Sequence, residues 1–242
     1  IKAHKVLKKR FGKIYIEFHD PISLRDLLEE EGLDLSGMTR DEISAFCRNI
    51  GHRTIHAINR VAVVTPHAVL AAALLNQSAA TFSLAMLQRA ADTYLSHLHF
   101  HKVKLADTLI LDPARAIEQV FHIYRQRKFI EPIDKNEPHD AQSQRFRIPP
   151  EKRPSLEYYK NNCVGCFVPA AFTALAIFER DAFQFSATDL HRSYQFLQDF
   201  FKYEFSYDLE NPPAWYVRKN IKAFINDAIL IPHPNLPDTY NI

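Results

Sequence analysis

Two sets of side chains in this sequence have the type and spacing for chemistry: a pair of cysteines and a scatter of histidines. Cys163 and Cys166 make a Cys-x-x-Cys. That spacing serves thiol exchange when it sits in an exposed turn after a strand, and zinc when two further ligands converge on it. Here it opens an uncharged run from Cys163 to Phe178, and the remaining cysteine, Cys47, falls on the apolar side of an expected helix. Both thiols therefore read as small buried hydrophobes. His52 and His56 are one helical turn apart, as are His97 and His101, with His99 between them. Four imidazoles on facing helices suit a metal, yet no carboxylates stand at matching spacing. Ordinary helix-surface histidines are the expectation, and no metal site is assigned.

Composition narrows the classes. The chain has 242 residues, 47% hydrophobic and 24% charged, which is globular rather than disordered. Five glycines against 18 Phe and 10 Tyr favour a helix-rich body with aromatic packing over a turn-rich sandwich. A net charge of +2 is too balanced for a nucleic-acid partner, which needs a concentrated basic face. Lys2, Lys5, Lys8, Lys9, Arg10 and Lys13 cluster locally, either as a solvated end or as a contact for phosphates or anionic lipid headgroups. Three cysteines without a signal peptide point to a reducing setting.

The elements that must position these groups are mostly helical. Residues 12 to 18 alternate Ile14, Ile16 and Phe18 with Tyr15 and Glu17, the pattern of a half-buried strand that Asp20-Pro21 stops. A short acidic helix starts at Leu24 and ends near Gly32. Thr39 with Glu42 is a capping-box pattern, followed by a helix whose core face holds Ile43, Phe46, Cys47, Ile50, Thr54, Ala57, Ile58 and Val61. Thr65-Pro66 launches a nearly uncharged helix through Leu75, to be buried on most sides. Leu84 to Leu98 and the stretch after Asp112-Pro113 are amphipathic helices. Residues 131–154 hold five prolines and read as a linker, with a short strand at Arg145 to Ile148. The run from Cys163 to Phe178 contains Pro169 and falls short of the ~20 apolar residues of a span, so it reads as a kinked, packed helix. Thr188 is the expected cap of a further helix, and Tyr216 to Ile231 the last one.

Four blocks carry a family resemblance: GKIYIEFHDPISL (12–24), NRVAVVTPHAVLAAALLN (59–76), RPSLEYYKNN (153–162) and FFKYEF (200–205). In order and spacing they are similar to the region downstream of the catalytic motifs in the glycerol-3-phosphate acyltransferase family, which includes the dihydroxyacetone-phosphate acyltransferases. The resemblance implies acyl transfer from acyl-CoA or acyl-carrier protein, as co-substrate rather than cofactor, to glycerol 3-phosphate. It implies a H-x-x-x-x-D motif, a Phe-Pro-Glu-Gly block and phosphate-binding arginines upstream of residue 12, so no catalytic residue is assigned in this chain and its substrate-binding residues are unknown. His233 and Asp238 have the motif's spacing, but Pro232, Pro234 and Pro237 deny them helical geometry and they read as C-terminal coil. Many relatives carry His where Gly165 stands.

The reading is a mainly α chain with one N-terminal strand left from an α/β acyltransferase domain. Its divisions are 1–32, the end of that domain; 33–130, helical; 131–154, linker; and 155–242, helical. Expected partners are the missing catalytic domain and a membrane lipid surface, at the cytoplasmic face of a bacterial inner membrane. Phe178, Phe183, Phe185, Tyr194, Phe196, Phe200, Phe201, Tyr203, Phe205 and Tyr207 line either a core or an acyl-chain groove, with core packing favoured. The alternatives are a non-catalytic docking module for a partner or membrane, and a histidine-based metalloenzyme.

Overall fold

The computed structural model describes residues 13–77, 79–133, 144–180, 182–205 and 211–242. The fold is mainly α. Its first helix, α1 (Leu24–Glu31), begins where Ser23 Oγ accepts from the Asp26 N–H and ends at Gly32. Gly32 adopts φ 62°, a left-handed value that glycine reaches without a Cβ penalty, and its N–H bonds back to the last turn. Helix α2 (Arg40–Val61) opens on the reciprocal Thr39–Glu42 capping box. The Thr65 side chain caps α3 (Pro66–Leu75), whose first position is Pro66. Then come α4 (Leu84–Phe100), the short α5 (Asp107–Leu111) and α6 (Pro113–Gln126), the last capped by Asp112.

Helix α3 is the hub. Apolar on every side, it buries Ala68 to Leu74 without a break, the signature of a helix enclosed by neighbours rather than laid on a surface. Its neighbours are α4, α6 and α7 (Arg153–Glu179). A small antiparallel pair, β1 (Glu131–Pro132) and β2 (Phe146–Arg147), closes this core by placing Phe146 edge-on to Phe121. Residues 134–143 of the expected linker lie outside the described residues; on either side of them Ile130 and Phe146 are core side chains.

The second core lies beyond the midpoint of α7. Val168, Phe172 and Ile177 pack with α8 (Ala187–Phe200) and α9 (Pro213–Asn226). A three-stranded antiparallel sheet in the order β3 (Gln184–Ser186), β5 (Thr239–Asn241), β4 (Ile231–Pro232) seals its end. Within this core Asn220 donates to Thr173 Oγ1 at 3.1 Å, and Thr173 donates to the Pro169 carbonyl at 2.8 Å. The chain of bonds fixes α9 on α7 at the residue where proline removes a helical N–H. The helix continues through Pro169, and by length and composition alone it is long and apolar enough to cross a membrane.

Four expectations require correction. Residues 13 to 18 form no ladder: they carry no regular structure, and Ile14, Ile16 and Phe18 are 84%, 74% and 89% exposed. A strand exists only through a partner's N–H and C=O groups, and no segment among the described residues supplies them. Helix α2 buries Phe46 and Ala57, but Ile43, Cys47 and Ile58 of its expected core face are exposed. Ser186 rather than Thr188 caps α8, through a capping box with Asp189, because the sheet ends there. The last helix runs from Pro213 to Asn226, ahead of the expected 216 to 231, since Ala228 at φ 55° turns the chain into β4.

Candidate functional site

Two of the sequence blocks singled out above meet in space. His67, on α3, stacks on Tyr159, on α7, with ring centroids 5.3 Å apart, and lies 5.4 Å from the ring of Tyr124 on α6. Tyr124 is fully buried and donates its hydroxyl to the His67 carbonyl at 3.1 Å. Burial, with Arg127 nearby, holds the His67 imidazole below its ordinary value, and burial pushes the Tyr124 phenol up. Both are therefore neutral near pH 7. Phe129, Pro154, Ser155, Tyr158 and Tyr159 line an open groove of about 390 Å³ beside this cluster, and Lys152 stands 5.9 Å over the Phe129 ring. A neutral imidazole stacked between tyrosines, without a carboxylate to orient it, has the parts for packing or stacking a ligand. It does not have those of an acid–base pair.

The second cluster joins α4 to α7. His97 and His101 rings are 4.3 Å apart, and His97 Nε2 lies 3.3 Å from the Cys166 carbonyl. His97 is buried, and burial lowers its affinity for a proton, with the Cys166 carbonyl and Asp227 pulling the other way. His101 is driven down to about 4 by burial, by His97 and by Lys219. His99, by contrast, is exposed, and His52 and His56 sit half-buried on α2. Of the expected histidine set, the helical spacing brings only His97 and His101 together. Among the described residues no group of three His, Cys, Asp or Glu side chains is placed to hold a metal.

The cysteines follow the apolar reading for two of three. Burial pushes the Cys163 thiol up to about 12 and raises Cys166 as well, so neither is a thiolate near neutral pH. Cys163 donates to the Lys160 carbonyl. Cys47 is the exposed one. Gly165, between the pair, has open space where a Cβ would stand. Gly165→Ala is therefore expected to stabilise α7 by about 0.5–1 kcal/mol, the helix-interior cost of glycine. A rise in urea midpoint at unchanged slope checks this, and a fall would show an unseen backbone requirement there.

His233 and Asp238 are employed separately. His233 Nδ1 accepts the N–H groups of Asn235 and Leu236, while Asp238 accepts from the Tyr240 hydroxyl at 3.3 Å. They shape the turn between β4 and β5. The aromatic run divides as well: Phe185 and Tyr194 are buried and Phe201 and Phe205 gather on Phe172. Phe178, Phe183, Phe196, Phe200 and Tyr203 face solvent, and Tyr207 lies outside the described residues, as do the basic residues 2 to 10. Nothing in the sequence flagged the Tyr124–His67–Tyr159 cluster as one unit. The Leu-Glu-Tyr-Tyr block was the available signal.

Burial thus favours the neutral forms of His67, His97 and His101 and of the Cys163 and Cys166 thiols. The profile of the glycerol-3-phosphate acyltransferase C-terminal region matches residues 1–241, and the chain belongs to that family. It is 25% identical to a glycerol-3-phosphate acyltransferase of Pseudomonas syringae pv. tomato over 249 residues, covering 97% of this chain and 29% of that protein. A glycerol-3-phosphate acyltransferase of Pseudomonas putida is also 25% identical, over 205 residues, with 81% of this chain and 24% of that protein covered. The chain thus spans less than a third of the length of these relatives.

Proposed function

We propose that this chain works as the helical C-terminal part of a glycerol-3-phosphate 1-O-acyltransferase. That enzyme moves an acyl group from acyl-CoA or acyl-carrier protein to glycerol 3-phosphate, the first step of phospholipid synthesis. The observation that supports it is the family match along residues 1–241. In this reading the general base, its orienting carboxylate and the phosphate-binding groups are supplied by polypeptide outside these 242 residues, and the helical body holds that polypeptide in place. The site of action is the cytoplasmic face of a bacterial inner membrane, with the lipid surface as a partner. The chain alone is inactive, because its one His-x-x-x-x-Asp spacing spends both side chains on a turn.

The test compares the longer polypeptide with the 242-residue chain, each given glycerol 3-phosphate and palmitoyl-CoA. Lysophosphatidate from the longer polypeptide and none from the chain is the expected result. Product from the chain that disappears in His233→Ala would overturn the assignment of catalysis to the outside polypeptide. Absence of product from the longer polypeptide with either acyl-CoA or acyl-carrier protein would overturn the function itself.

A further inference from the structure

The turn at residues 104 to 107 gathers three uncovered apolar surfaces. The C-terminal end of α2 reaches it through Val64, whose N–H bonds the Lys104 carbonyl at 2.9 Å and whose carbonyl accepts from Ala106 at 2.9 Å. The segment at 13 to 18 reaches it through two ion pairs, Lys13 to Asp107 and Glu17 to Lys104. Helix α5 starts from it. Lys13 and Glu17 are held at the turn by these pairs, while Ile14, Ile16 and Phe18 stay exposed. On α2, Cys47, Gly51, Ile55 and Ile58 follow at helical spacing along one exposed face, beside the face that buries Phe46 and Ala57. On α5, Ile110 and Leu111 are exposed.

We infer that these surfaces around residues 104 to 107 form one docking face for the acyltransferase polypeptide that lies outside this chain; the inference rests on the function proposed above. Two observations choose that occupant. The relatives devote more than two thirds of their length to sequence this chain does not cover, so the family's folded unit has polypeptide to place against it. Within the segment and the turn, Lys13 and Lys104 are also already paired, with Asp107 and Glu17. A face for anionic lipid would keep such lysines free.

The experiment labels single cysteines with a maleimide in the longer polypeptide, with Cys47, Cys163 and Cys166 and any cysteine outside this chain replaced by Ser or Ala. Ile16→Cys and Ile58→Cys report on the face, and Phe183→Cys, exposed and away from the turn, sets the unprotected rate. Protection of positions 16 and 58 by about tenfold relative to 183, independent of protein concentration and of added lipid vesicles, is the expected result. Equal rates at the three positions would overturn the inference. So would protection that is lost on dilution, which marks a second copy, or protection that needs vesicles, which marks lipid. Acyltransferase activity measured on the same samples separates the two ideas: an active, unprotected protein refutes the docking face and leaves the function standing.

Discussion

Leu70→Ala is expected to cost about 2–5 kcal/mol of folding stability, enough to unfold much of the chain near physiological temperature. Leu70 has no exposed surface and stands in the middle of α3, with Ala71, Ala72 and Ala73 following it. The small residues let α4, α6 and α7 approach the helix closely, so the few large side chains fill the remaining space. Removing one leaves a cavity that backbones already in contact cannot collapse to fill. The comparison that isolates the effect is Leu111→Ala, the same chemical change at a side chain 83% exposed, expected to stay within about 0.5 kcal/mol. Urea midpoints of both variants give the answer. If Leu70→Ala costs no more than Leu111→Ala, α3 is not the hub that its burial indicates.

The elements that were legible in the sequence are those written in adjacent residues. Ser23 with Gly32, Thr39 with Glu42, Thr65 with Pro66 and Asp112 with Pro113 each start or stop a helix through bonds spanning at most a few positions, and the helices begin and end accordingly. The uncharged composition of α3 stated its burial directly. What could not be read depends on distant partners. Strands β3 and β5 pair Phe185 with Tyr240, and three-residue strands carry no usable period. Hence the cap of α8 falls at Ser186, where β3 ends, and not at the expected Thr188. The period of α2 located its apolar side but not which half of that side another element covers, so Cys47 and Ile58 were misplaced. The candidate site shows the same division. The blocks holding His67 and Tyr159 were both recognisable, while their contact belongs to the packing of α3 on α7.

Acidification from pH 7 is expected to destabilise the chain well before its carboxylates titrate, with the His97–His101 pair as a principal cause. In the unfolded chain an imidazole takes its proton near 6.5; in the folded chain His101 takes it near 4, and His97 and His67 are also held below 6.5 by burial. Between those values the unfolded state binds more protons than the folded one. Stability is therefore complete above about pH 6.5 and is lost progressively as the pH falls toward 4. The groups facing the pair sharpen the effect: Lys219 opposes a charge on either ring, and Asp227 and the Cys166 carbonyl only partly offset this at His97. Each fully linked proton tilts stability by about 1.4 kcal/mol per pH unit, less for a ring that keeps some contact with water. A second, lower window belongs to Asp34, Glu42 and Asp189. Hydrogen bonds from Ser36, Thr39 and Ser186 hold these carboxylates below their ordinary values of 3.8 to 4.5, so their contribution is lost only on further acidification. Urea unfolding measured from about pH 7.5 to about 2.5 on the parent chain and on His101→Gln resolves the two windows. Glutamine cannot titrate, so the variant's stability should fall less steeply between pH 6.5 and 4 while keeping the parent's fall below 4. Parallel curves across the upper window would mean that His101 is as free to protonate in the folded chain as in the unfolded one, and that the α4–α7 contact is open to water.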